Sequence, residues 1–247
     1  MRSFYNICKQ DFINLVMNPM WIFYSTAFPI LMIAIMGFLT EGSYGDVVTS
    51  YDYYGISLMI YTALSAATIA ANSFMEEKIK AGNMRIIFAP VSESYLYLSK
   101  IVATFLFTTI FYLIDMLFVN LLFGVNYGGD NIGYVILIFL FAQFFASTLG
   151  VMFCCLLKSE STANQILSLV ITIFSILGGT FFSLDGFGET VRKISLLSPV
   201  KWMMDAMFGI IYDNRMSGVL PTIGVLLGGT IILLILCKLT FSKEDYV

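Results

Sequence analysis

Apolar residues gather into six runs along the chain, at 20–40, 53–75, 98–123, 132–157, 162–184 and 219–240, with polar stretches between them. Each run has the length an α-helix needs, upright or tilted, to cross about 30 Å of hydrocarbon. The pattern predicts an all-α polytopic membrane protein with six transmembrane helices. The first 18 residues follow a different rule. Wound at about 100° per residue, they place Phe4, Tyr5, Cys8, Phe12, Leu15 and Val16 on one face. Arg2, Ser3, Asn6, Lys9, Gln10 and Asn14 fall on the other, with Ile13 and Met17 off the pattern. Such an amphipathic helix lies along the membrane plane, and Asn18-Pro19 supplies a break where the chain turns inward. The stretch has neither the apolar core nor the small-residue cleavage site of a signal peptide.

Composition then narrows the function. Apolar residues make up 59% of the 247 and charged residues 12%, against about 45–50% and about 25% in soluble domains. Mean hydropathy is +0.88. Beyond the six runs there are short loops and one longer connection, 185–218, so residues 1–247 read as a single membrane domain with no room for a soluble catalytic one. No internal repeat stands out. The chain has no His, which removes the commonest metal ligand and the usual proton shuttle. Cys8, Cys154, Cys155 and Cys237 lack zinc or disulfide spacing, and no metal site is expected. A net charge of −3 speaks against nucleic acid. No nucleophile pairing or carboxylate pair points to an enzyme.

The placement of charge sets an orientation. Nine of the 13 Lys and Arg residues (Arg2, Lys9, Lys78, Lys80, Arg85, Lys100, Lys158, Lys238 and Lys243) fall on the side of the termini. The other four, Arg192, Lys193, Lys201 and Arg215, all lie in 185–218, while loops 41–52 and 124–131 carry acids and no base. By the positive-inside rule both termini are expected in the cytoplasm.

Segment 76–92 is charged, then apolar, then broken by Pro90. Glu76, Glu77, Lys78, Lys80, Gly82 and Arg85 lead into Ile86, Ile87 and Phe88. A short helix here would present an apolar knob to a soluble partner. A solvated loop whose bases only set topology accounts for the charge as well. Asp115 is the one acid well inside an apolar run, and a carboxylate in that setting is by default functional. It lies about 22 Å of helix rise beyond Lys100, toward the external end of span three, within reach of interfacial water. Packing against a partner such as Gln143 and contact with a substrate or ion both remain open. Gly224-x-x-x-Gly228 in the last span is common in membrane helices and says little.

Taken in order, these pieces carry a family resemblance. A glutamate-rich start, Gly82, an apolar triplet, Ala89-Pro90-Val91-Ser92 and then Lys100 is similar to the cytoplasmic coupling segment of ABC-2 type permeases. Gly82-Asn83-Met84 stands where that family usually has Gly-Thr-Glu. Ser198-Pro199-Val200-Lys201-Trp202 resembles the Pro-containing stretch before the family's last span. The likeness covers essentially the whole chain, from amphipathic start to sixth span. It implies that 185–218 dips into the outer leaflet as a re-entrant hairpin around Ser198, Pro199 and Trp202. It also implies that Glu76 to Phe88 grip an ATPase.

Spans two and five are small-sided, through Ala63, Ser65, Ala66, Ala67, Ala70 and Ala71 and through Ser168, Thr172, Ser175, Gly178, Gly179 and Thr180. Close helix packing is one reading. The resemblance implies another, a dimer seam and translocation path, with Met59, Phe181 and Phe182 as an adaptable apolar lining.

No Gly-x-x-x-x-Gly-Lys-Ser/Thr phosphate cradle is present. The resemblance therefore implies a separate ABC ATPase subunit in two copies, carrying ATP and Mg, with no cofactor on this chain. It implies a second permease chain, expected to be identical, in a bacterial cytoplasmic (plasma) membrane. The expected substrate is hydrophobic or amphipathic: an antimicrobial or other amphipathic peptide, or a drug, moved outward. A polysaccharide or lipid-linked glycan exporter is the alternative within the same superfamily, and a non-transporting scaffold or sensor subunit the alternative outside it.

Overall fold

The computed structural model describes residues 2–45, 47–76, 79, 82–84, 86, 88, 91–184 and 186–242, and among these there is no β-strand. The helices, in chain order, are α1 (Arg2–Val16), α2 (Pro19–Ser25), α3 (Ala27–Leu39), α4 (Ser50–Met75) and α5 (Ser94–Phe123). They continue with α6 (Ile132–Leu157), α7 (Glu160–Gly178), α8 (Gly188–Ser195), α9 (Pro199–Ile211) and α10 (Val219–Thr240). Among the described residues six stretches are long and apolar enough to cross a membrane: α2 with α3, α4, α5, α6, α7 and α10. The chain is an all-α polytopic membrane protein.

Helix α1 packs along α5. Its Cys8 and Leu15 are buried with Ile69, Ala103 and Phe107, and the rings of Phe4 and Tyr95 meet edge to face at 5.4 Å. Tyr5 and Met17 stay exposed. The turn inward forms at Asn18-Pro19. Asn18 Oδ1 accepts the Met20 N–H at 3.1 Å, and Pro19, which has no N–H to leave unsatisfied, occupies the first helical turn. Span one is then interrupted at Thr26, whose φ of −130° and ψ of −70° divide α2 from α3. Pro29 contributes to this break, since it has no N–H to give the carbonyl of Ser25 four residues earlier.

Helix α4 is the centre of the bundle and is buried on nearly every side, with α3, α5, α6 and α7 around it. It opens with a reciprocal cap: Thr49 Oγ1 accepts the Asp52 N–H, and Asp52 Oδ2 accepts the Thr49 N–H, both at 3.1 Å. Its tightest neighbour is α6. A Cβ built on Gly150 would lie 2.0 Å from the carbonyl oxygen of Ala67, so the two backbones touch there and only glycine fits. In α10 the glycine that meets a neighbour is Gly229, against the Phe145 ring. Gly224 and Gly228 have nothing within 4 Å of an added Cβ.

Span five is shorter than the apolar run 162–184 predicts. Helix α7 stops at Gly178 because Gly179 adopts a left-handed φ of 80°, the usual helix stop. Hydrophobicity continues past this point, but helical backbone does not. Helices α8 and α9 follow, bent by 105° to each other. At about 12 Å and about 20 Å of rise, neither is long enough to cross the membrane alone, and the pair forms a hairpin. Its corner is built from Ser198, Pro199 and Trp202. Ser198 Oγ accepts the Val200 N–H at 3.1 Å and donates to the Phe174 carbonyl of α7 at 2.7 Å. The Trp202 indole donates to the Leu196 carbonyl at 2.9 Å, and Thr222 of α10 donates to the Trp202 carbonyl at 3.0 Å.

The loops at the hairpin end are knitted together. Asp52 Oδ1 accepts the Asn126 N–H at 3.0 Å, and Tyr127 donates to the Gly55 carbonyl at 3.2 Å. Asn131 donates to the Asn214 side chain at 2.8 Å, and the Tyr53 hydroxyl donates to the Gly179 carbonyl.

Candidate functional site

Two ties set the register of α4 against α7: Tyr53 to Gly179 near one end, and the paired amides of Asn72 and Asn164, 3.2 Å apart, near the other. Between them α4 turns a partly exposed stripe of Tyr61, Thr62, Ser65, Thr68 and Asn72 outward. The spacing is that of one helix face. Helix α7 sets Asn164, Ser168 and Thr172 level with that stripe, and Ser168 and Thr172 are exposed. Most of these hydroxyls have spent their single proton on the preceding turn. Ser65 donates to the Tyr61 carbonyl, Thr68 to Ser65, Ser168 to Asn164 and Thr172 to Ser168, at 2.7–3.1 Å. What they offer outward is acceptor lone pairs and methyl groups, flanked by exposed Leu169, Ile173 and Ile176. Tyr61 and Phe181, with ring centroids 5.8 Å apart, close the stripe at the hairpin end. The result is an open face of mixed polar and apolar character in mid-span.

The residues predicted from sequence for a path or seam divide accordingly. Ser65, Ser168, Thr172, Phe181 and Phe182 lie on or beside this face. Met59, Ala66 and Ser175 do not, because they are buried within the single chain. The small residues Ala63, Ala66, Ala67, Ala70 and Ala71 pack inside the protein, the use that close helix contact makes of them. Composition marked α4 as a helix of close contacts and left its outward face unspecified.

At the opposite end, Glu76 caps α4, its N–H bonded to the Asn72 carbonyl at 2.9 Å. Asn83 is buried and donates to the Phe74 carbonyl at 3.0 Å, closing another of the carbonyls that a helix end leaves open. Gly82 is exposed, Ile86 rests against the core, and Phe88 stands 77% exposed. Glu77, Lys78, Lys80, Arg85 and Ile87 lie outside the described residues.

The hairpin end holds a charged recess of about 570 Å³ whose lining includes Glu189, Arg192, Lys201, Asp205, Asp213 and Arg215. Lys201 and Asp205 form an ion pair at 2.7 Å. Leu184, Lys201, Asp205 and Phe208 also border a second recess of about 340 Å³, which reaches Tyr44 and Tyr53. Burial, and then the neighbouring Tyr54, push the Tyr44 phenol well above its ordinary range, so it remains a neutral donor there.

Asp115 lines a small recess that Gln143 also borders. It is 1% exposed. No hydrogen bond joins it to Gln143, whose Oε1 instead accepts from Thr108 at 3.0 Å and Thr109 at 2.9 Å. Helix rise locates a residue along the membrane normal but not around the helix, and α5 turns this one inward.

Sequence reasoning missed a buried ion pair. Lys100, counted as a topological charge, places Nζ 2.5 Å from Asp11 Oδ1, and Ser99 Oγ donates to Asp11 Oδ2 at 2.8 Å. The signal lay in α1, where Asp11 sits among Cys8, Phe12 and Leu15 on the apolar face.

The fold is a helical bundle around one central span, with an N-terminal helix packed on α5 and a sharply bent helix pair before the last span. The family model for the ABC-2 type transporter matches residues 2–212, and the chain belongs to that family. It is thus an ABC transporter permease, a class that normally works with an ABC ATPase. No curated protein matches the chain.

Proposed function

We propose that the chain is the permease of an ATP-driven exporter that moves an amphipathic peptide or drug outward across a bacterial plasma membrane. The face shared by α4 and α7 carries this reading. Its acceptor oxygens alternate with Leu169, Ile173 and Ile176, which suits a substrate with one polar and one apolar side and offers little to a sugar. A second, identical chain apposed on this face would enclose a path between the two copies. Two ATPase chains, binding ATP and Mg, would engage the end that carries Glu76, Gly82, Ile86 and Phe88, with both termini on the same side.

The test is to purify the chain with its cognate ATPase in lipid nanodiscs. ATP hydrolysis is then measured with amphipathic peptides, hydrophobic drugs and glycans. Stimulation by peptide or drug but not by glycan supports the reading, and stimulation by glycan alone overturns it. Replacing the exposed Phe88 by Ser, which leaves Asn83 and Ile86 in place, is expected to lower the stimulation while leaving the bundle folded.

A further inference from the structure

Around the break in span one lies a small recess of about 30 Å³, room for one water-sized occupant, with Asp115 buried at its wall and half-exposed Tyr24 at its rim. It is lined by the end of α2, by Pro29 of α3, and by α4, α5 and α6. Three of its polar atoms, Ser25 Oγ, Tyr112 Oη and Asp115 Oδ1, have no hydrogen-bond partner among the described residues. Buried groups of this kind are nearly always satisfied, and a lone carboxylate in a membrane interior is costlier still.

The remaining lining states what is missing. Thr62 and Ser65 already donate to the carbonyls of Met59 and Tyr61, at 3.0 and 3.1 Å, and Thr108 donates within α5 and to Gln143. With their protons committed, they present only lone pairs to the cavity. Pro29 leaves the Ser25 carbonyl without its helical donor at the same break. The C-terminal end of a short helix, with its partial negative charge, is the setting in which interrupted transporter helices hold cations. No Lys or Arg lines the cavity. The titratable groups facing Asp115 are the tyrosines Tyr24 and Tyr112, with Tyr127 in electrostatic reach, and α4 and α6 contribute no charge to the lining. Lys100, on the same helix, is about 22 Å away and paired with Asp11.

We infer that this cavity is a binding site for one monovalent cation, a sodium ion or a proton, held against the Asp115 carboxylate. A single carboxylate and a one-water volume suit one unit of charge and do not suit a divalent ion with its six or more ligands. The occupant ties the broken first span to α4 and α5, whose residues together line the recess. This inference does not depend on which substrate is exported.

The experiment measures thermal unfolding of the purified full chain in nanodiscs, wild type beside Asp115→Asn. Sodium is exchanged for choline at constant ionic strength, and pH is varied from about 6 to about 9. A sodium site raises the wild-type midpoint by roughly 3 °C or more for each tenfold increase in sodium above its dissociation constant. The same titration leaves Asp115→Asn unmoved. A proton site lowers the wild-type midpoint as pH rises, with no sodium dependence, and Asp115→Asn is flat where the wild type falls. Should Asp115→Asn fail to fold, binding of radioactive sodium to the wild type, competed by acid, is read instead. One ion per chain, weakened by Thr62→Val, supports the site, as does a carbonyl infrared band for a protonated carboxyl that is lost at high pH. Identical sodium and pH responses in wild type and Asp115→Asn, or neither sodium nor a protonated carboxyl in the wild type, overturns it.

Discussion

The ammonium of Lys100 and the carboxylate of Asp11 meet at 2.5 Å, with Lys100 1% and Asp11 4% exposed, and this contact fastens α1 to α5. Ser99 occupies the second carboxylate oxygen, so both charges are bonded as well as paired. Removing either partner alone strands the other in a dry site. Lys100→Met and Asp11→Leu are each expected to cost about 3–5 kcal/mol. The double substitution is expected to recover most of that loss, because the stranded charge is gone. Unfolding of the four chains, read as a double-mutant cycle, checks both statements.

Close approach of α4 and α6 at Gly150 yields a second prediction. Gly150→Ala puts a methyl group against the Ala67 carbonyl and is expected to destabilise by about 2 kcal/mol or more. Gly228→Ala, in open space, is expected to change stability by no more than about 0.5 kcal/mol. A thermal shift comparison of the two separates packing glycines from incidental ones.

Much of this architecture could be read before any coordinates, and the reasons for the failures are physical. Hydrophobic length located the spans because each must satisfy its backbone inside lipid. It overran at 179–184, where apolar residues continue but Gly179 turns the backbone left-handed. Small residues pointed to α4 as a helix of close contacts. They did not show which contacts were internal, and so Met59 and Ala66 were placed on a path that the bundle buries. Asp11 stands out in sequence only as an acid among the apolar residues of α1, and nothing local names a partner for it or for Asn83. Their roles appear only when α5 and the end of α4 arrive beside them.

Tyr53 holds the end of α7 through the Gly179 carbonyl, and Tyr54 reaches the Phe181 carbonyl at 3.3 Å. Tyr53→Phe leaves a buried carbonyl without its donor and is expected to cost about 1–3 kcal/mol. It should also loosen residues 179–184, and faster amide hydrogen exchange there than in α4 is the corresponding observation.

Phe88 is 77% exposed on the end proposed to meet the ATPase, its N–H bonded to the Met84 carbonyl of its own turn. Phe88→Ser is therefore expected to leave the unfolding midpoint within about 0.5 kcal/mol of wild type. The same change is expected to lower substrate-stimulated ATP hydrolysis severalfold in the assembled complex. Equal stimulation in both would remove Phe88 from the coupling surface.

The account rests most on the open face of α4 and α7 being the one that meets a second copy. Site-directed cross-linking tests it directly, with single cysteines introduced on a background lacking the four native ones. Ser168→Cys and Thr172→Cys are each compared with Leu121→Cys, also an exposed site but on α5. Treatment in native membranes with a short bismaleimide is expected to yield a covalent dimer from the two α7 variants and none from Leu121→Cys, with the yield changing when ATP is added. A dimer from Leu121→Cys alone, or no dimer from either α7 variant under any nucleotide condition, contradicts the account.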